Sequence, residues 1–201
     1  GLTSLPAIFQ PNCIKLHLKL LKINGNQLEK LPTDIDSLHF LERLDTSRNE
    51  LQELPSFIWD LPSLKETSFS DNPLFYLSLP QKPQRILKTL YLNRVQLSNL
   101  PETIEHLKGL KILQLEGNFI EKLPQGIYNI ASLEHLNLSK NYLSSLEEEI
   151  ACLSGLKVLN LRENLLQALP EKLTSLKQLQ ILRLDGNFLE EKAELWWNVA
   201  S

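Results

Sequence analysis

The chain has 201 residues, 42% of them hydrophobic, so it can bury a sizeable core and need not be disordered. A net charge of −3 excludes a global positive field for nucleic acid or an anionic membrane, and no apolar run approaches the ~20 residues of a membrane-spanning helix. Two widely separated cysteines, Cys13 and Cys152, without CxxC, HExxH or a Cys/His cluster, argue against a metal site and for reduced thiols. The start at Gly1 and the lack of any Met read as an excised or processed segment.

Residues 1–18 open in mid-pattern. Leu2, Leu5 and Pro6 match Leu28, Leu31 and Pro32 at a step of 26, which makes a partial first coil. From there one frame, L-x-x-L-x-L-x-x-N-x-L, recurs with its asparagine at Asn26, Asn49, Asn72, Asn118, Asn141, Asn164 and Asn187. The step is 23, or 46 across a unit with Val95 at the anchor, and Leu or Ile always follows two residues later. In "LKILQL" (110–115), Leu113 and Leu115 alternate with Ile112 and Gln114, the period of a strand with one buried face. Parallel strands are therefore predicted at 43–45, 66–68, 89–91, 112–114, 135–137, 158–160 and 181–183. The asparagine falls just past each strand, where the chain turns away and leaves backbone groups that need partners. A carboxamide donates and accepts, so stacked copies satisfy those groups from coil to coil. Its role is structural. Most units continue L-P-x-x-I-x-x-L, and that proline predicts an extended or turn-like convex segment outside the strand ladder.

The frame breaks in four places. Thr46 and Thr67 stand at inward strand positions; the prolines of residues 77–87 are displaced, with Gln81 and Gln84 at apolar convex positions; Val95 replaces an anchor. These breaks read as local irregularity with a different convex path, or as a bend that presents Phe75, Tyr76 and Tyr91 to a partner. In residues 190–201 the frame ends, and Ala193, Trp196, Trp197 and Ala200 lie three to four apart, as in a helical cap over the last coil. The expected organisation is a solenoid over 1–189 and a cap over 190–201.

A 23-residue frame held through eight anchors resembles the leucine-rich repeat family over nearly the whole chain. The resemblance implies an α/β-type solenoid: a right-handed horseshoe with a parallel concave sheet and an irregular, 3-10 or short-helical convex side. It implies recognition of a folded protein in the concave face. The LP-x-x-I-x-x-L variant is shared by intracellular scaffolds and by effector proteins of intracellular bacterial pathogens. A cytoplasmic setting is thus expected, the host cytosol for a translocated effector, and a monomer when alone.

Residues for catalysis do not converge. By repeat geometry His135 is on the outward strand face, His39 and His106 follow convex segments, and His17 lies near the incomplete start. Cys152 belongs to a convex segment, opposite His135, and reads as a buried or idle thiol. Glu147, Glu148 and Glu149 read as a solvated face. No Gly-rich phosphate loop occurs, and neither enzyme activity nor a cofactor is expected.

The surface remains. Eight stacked strands form a ribbon of roughly 35 Å, enough for a standard contact of about 800 Å² per partner. One outward column reads Leu20, Arg43, Glu66, Thr89, Ile112, His135, Val158, Ile181; the next reads Lys22, Asp45, Ser68, Tyr91, Gln114, Asn137, Asn160, Arg183. The residue after each anchor reads Gln27, Glu50, Pro73, Gln96, then Phe119, Tyr142, Leu165, Phe188. Four consecutive apolar residues there predict an exposed stripe at the concave rim, joined to Ile112, Val158 and Ile181. The expected partner-binding set is Phe119, Tyr142, Leu165, Phe188, Ile112, His135, Val158, Ile181, Arg183 and Tyr91. The expected function is non-catalytic binding of a folded protein, as in an effector that binds a host protein or inhibits another effector. The alternatives are the recognition domain of a larger enzyme, such as a ubiquitin ligase, and extracellular ligand binding, which the missing cysteine caps disfavour.

Overall fold

In the computed structural model, Thr3 and residues 17–189 are described. The expected cap over 190–201 and nearly all of the partial first coil lie outside them. Eight strands follow in chain order: β1 Leu20–Lys22, β2 Arg43–Asp45, β3 Glu66–Ser68, β4 Thr89–Tyr91, β5 Ile112–Gln114, β6 His135–Asn137, β7 Val158–Asn160 and β8 Ile181–Arg183. They form one open sheet in sequence order, every neighbouring pair parallel. The register is the sequence period itself: Leu113 faces Leu136, which faces Leu159. β1 completes the sheet one period before the first predicted strand.

Inward side chains from strands, anchors and convex segments make one continuous core. Two of the polar intrusions are compensated by volume. Thr46 and Thr67 are fully buried, and between them at the second inward position Phe69 stands where most coils carry Leu. Trp59, from the preceding convex segment, packs edge-on against Phe69 with ring centroids 6.3 Å apart. Small residues thus leave room that two aromatics fill, as a close-packed interior requires.

Six convex segments close into 3-10 turns: Thr33–Ser37, Ser56–Asp60, Glu102–His106, Gln125–Asn129, Glu148–Cys152 and Glu171–Ser175. In five the repeat proline is the N-cap, with φ between −68° and −73°; Glu147 takes that place in the sixth. A pyrrolidine ring fits there because its fixed φ is already extended and no N–H is needed. In two of the turns, orphan N–H groups find a carboxylate acceptor one coil away. Glu102 accepts from Gly126 at 2.7 Å, and Glu148 accepts from Lys172 at 2.8 Å and Glu171 at 3.0 Å. Glu148, read as part of a solvated face, therefore ties two coils together.

The anchor ladder is built as expected. Asn141 donates to Leu115 O at 2.9 Å in the coil before and to Leu138 O at 3.0 Å in its own, while its Oδ1 accepts from Ile120 N at 3.0 Å. Asn49, Asn72, Asn118, Asn164 and Asn187 repeat this pattern. Just before each anchor the backbone is left-handed, at Gly25, Arg48, Asp71, Arg94, Gly117, Lys140, Glu163 and Gly186. That conformation, costly for residues with a Cβ, sends each N–H to the next coil, as from Lys140 to Arg162 O at 2.9 Å.

The irregular coil between β3 and β4 has no 3-10 turn. Gln84 instead folds its side chain back onto Ile86 N and Leu87 N at 2.9 and 3.1 Å, and its own N–H bonds His106 O at 2.8 Å. Gln81 is exposed and Gln84 half-buried, so neither fills the apolar position that its place in the frame suggested.

Candidate protein-binding face

Period-2 alternation places one side chain of every strand in the core and two on the concave face. Ile112, His135 and Val158 run side by side across β5, β6 and β7, each half-buried, and Ile181 follows at 42% exposure on β8. In the parallel column Arg183 is exposed and Tyr91 half-buried; burial, then the nearby Glu66 carboxylate, raises the Tyr91 phenol above its ordinary value. The amides between them are committed to the fold. Asn137 donates to Gln114 Oε1 at 2.9 Å and accepts from Ser139, and Asn160 accepts from Arg162 N.

The rim is set by backbone. Phe119, Tyr142, Leu165 and Phe188 each donate their N–H to a carbonyl of the preceding coil at 2.8–3.0 Å, which holds the four at one level. Flanked by an inward anchor and an inward Leu or Ile, their side chains turn out, 48%, 48%, 40% and 66% exposed. Phe119 and Tyr142 stack, ring centroids 6.1 Å apart and planes 19° from parallel.

The N-terminal half is of different character. Lys22, Arg43, Asp45, Glu66, Ser68 and Tyr91 line a shallow hollow of about 270 Å³ on the concave face. The outward columns contain these residues, but all except Tyr91 fell outside the predicted set, because a column of mixed charge carries no periodic signal. Tyr91 joins the hollow to the apolar half. It does not join Phe75 and Tyr76, which project from the flank beyond Asn72 at 68% and 59% exposure, with Tyr76 OH donating to Glu53 at 3.1 Å.

Other candidates stay apart. His106 Nδ1 lies 2.8 Å from Pro80 O, and His17 rests on Phe40. Cys152, read as buried or idle, ends a convex turn as a free, exposed thiol, so burial is corrected: the apolar slot of that turn is filled by Ile150. Among the described residues no group of three or more His, Cys, Asp or Glu could hold a metal, and no helix is long and apolar enough to cross a membrane.

An open parallel ribbon, one strand and one convex turn per 23 residues, defines a repeat solenoid whose working surface is broad and shallow. The leucine-rich repeat family profile matches residues 85–143 and 132–189, just over half of the chain, and the chain belongs to that family. Such domains generally bind proteins and are typically non-catalytic.

The chain is 30% identical over 105 residues to receptor-like protein 53 of Arabidopsis thaliana and 38% identical over 102 residues to an adenylate cyclase of Schizosaccharomyces pombe. These matches cover 51% and 50% of this chain but only 11% and 6% of the relatives. Among solved structures, a leucine-rich repeat protein of Leptospira interrogans is 29% identical, with a TM-score of 0.66 over 92% of this chain and 53% of its own. Human trophoblast glycoprotein is 28% identical, with a TM-score of 0.76 over 100% of this chain and 80% of its own.

Proposed function

We propose that this chain recognises a folded protein through the C-terminal half of its concave face. The contact centres on the rim stripe of Phe119, Tyr142, Leu165 and Phe188, with Ile112, His135, Val158, Ile181, Arg183 and Tyr91 completing it. The observation that carries this reading is the stripe's continuity. Four neighbouring coils expose an apolar side chain at one level, two of them stacked, where the preceding four carry Gln27, Glu50, Pro73 and Gln96. Contiguous apolar surface of this kind is retained for contact, since a lone protein gains nothing by wetting it.

Within that reading, the chain acts as an effector-type binder in a cytosol, engaging a host protein or restraining another effector. The LP-x-x-I-x-x-L repeat variant supports this setting. A second reading, the recognition part of a larger enzyme, is supported by the yeast relative, an enzyme of which the matched stretch is 6%.

The test is affinity capture with the wild-type chain, identification of the captured proteins by mass spectrometry, and titration calorimetry with purified candidates. Tyr142→Ala with Phe188→Ala should abolish capture of the specific partner. Gln27→Ala with Glu50→Ala, at the same level in the polar half, should leave it intact. Capture that survives the aromatic pair but is lost with the polar pair would move the site to the other half.

A further inference from the structure

The residue before each strand forms a column along one edge of the sheet: Lys19, Glu42, Lys65, Lys88, Lys111, Glu134, Lys157, Gln180. Two triplets in it are bridged alike, one glutamate between two lysines. Glu42 bridges Lys19 at 3.5 Å and Lys65 at 2.8 Å, and Glu134 bridges Lys111 at 2.7 Å and Lys157 at 2.5 Å. Lys88 falls between the triplets, where the same logic calls for a carboxylate. Its backbone bonds Lys65 O at 2.7 Å and accepts from Lys111 N at 2.8 Å, so three lysines stand on adjacent strands. Like charges in such positions repel.

Glu42 and Glu134 relieve Lys65 and Lys111, whereas Lys88 is left without a carboxylate among the described residues. Lys88 Nζ donates to the Arg85 carbonyl at 2.6 Å, and among the described residues neither Lys88 nor Arg85 has an ion pair. Arg85 is held there by close backbone packing: a Cβ on Gly109 would meet the Arg85 carbonyl oxygen at 2.1 Å. Beside this edge, in the coil without a 3-10 turn, opens a small, mostly apolar notch of about 50 Å³, lined by Trp59, Pro62, Ile86 and Leu87, with Asp60 and Gln84 as its polar members. Ile86 is 42% exposed.

We propose that this edge binds an acidic segment of a partner protein, with carboxylates on Arg85 and Lys88 and one small apolar side chain in the notch. The charge identifies the segment's sign, and the notch identifies it as polypeptide. A nucleic acid fits less well, because two cations, Arg85 and Lys88, are too short a track for a phosphate backbone and the chain as a whole is negative. The surface is separate from the rim stripe, so the two readings fail independently.

The probe is a fluorescein-labelled oligoglutamate with one central valine, titrated by anisotropy at low and raised salt. Wild-type chain should bind it in a salt-sensitive way, the glutamine analogue should not bind, and a glycine in place of the valine should weaken binding. Lys88→Glu with Arg85→Glu should lower affinity at least ~tenfold, as loss of paired interface charges does. Lys88→Glu alone should raise the Tm, because it extends the lysine–glutamate alternation along the column. Three results would overturn the proposal: binding unchanged by the double substitution, a Tm lowered by Lys88→Glu, or an oligothymidylate binding as tightly as the peptide.

Discussion

Asn118 reaches across the coil boundary to Val95: its Oδ1 accepts the Val95 N–H at 3.0 Å as well as the Leu97 N–H at 3.1 Å. Val95, having no carboxamide, cannot pass the same service to the coil before it. There Leu74 N turns back to Asn72 O at 3.0 Å instead of meeting an anchor.

Asn141 serves four backbone groups and is 4% exposed, whereas exposed Asn99 touches only the neighbouring Ser98 hydroxyl. Asn141→Leu strands those groups and should cost ~2 kcal/mol or more. Asn99→Ala should stay within about 0.5 kcal/mol. Urea melts of the two variants check the contrast; equal losses would remove the ladder as an explanation of stability.

Thr46 and Thr67 are buried alike but bonded differently. Thr46 Oγ1 donates to Ser68 O at 3.1 Å, while Thr67 Oγ1 has no partner. Thr67→Val deletes an unsatisfied hydroxyl at nearly constant shape and should stabilise by about 1 kcal/mol, where Thr46→Val should destabilise by about the same amount. Thermal melts with both signs in hand decide it.

Hydrogen bonds from Lys111 and Lys157 hold the Glu134 carboxyl down at about 2, below its unfolded value. Its stabilising share is thus present above an unfolded pKa of about 4.3 and is lost as pH falls towards 2. Glu134→Gln should flatten the decline of Tm between these limits. Because the pair is solvent-exposed, the difference should shrink in high salt.

The Phe119–Tyr142 stack predicts non-additive binding. Truncation of either ring should cost the partner contact about 2 kcal/mol. A double-mutant cycle should show a coupling of roughly 0.5–1.5 kcal/mol, because each ring braces the other. Calorimetric additivity would mean that the partner engages only one of them.

Strand positions, anchor ladder and rim level were all legible because each repeats with the period, so eight copies vote on every position. What the sequence concealed lies where side chains act across coils without repeating. Glu148 looks like solvated charge until its carboxylate is found on the next turn's N–H groups, and Glu102 does the same from a different context. Left-handed backbone before each anchor was signalled only by Gly25, Gly117 and Gly186; lysine, arginine, aspartate and glutamate fill the same conformation elsewhere. Lys88 was invisible as a site because its meaning lies in the column, where two neighbouring triplets show what a lysine bridged by glutamate looks like.

The irregular coil also decides how the molecule comes apart. Glu50, Phe119, Tyr142, Leu165 and Phe188 tie their N–H to the coil before, but Pro73 has no N–H to give and at the next junction Gln96, at φ +65°, makes no such bond. With the anchor carboxamide missing at Val95 and no 3-10 turn behind it, one junction in the stack is held by fewer backbone bonds than the rest. A linear array opens at its weakest interface. Amide hydrogen exchange should therefore divide the protein into two protection blocks, meeting near residues 73–96, with the C-terminal block carrying the aromatic rim intact through the first opening event.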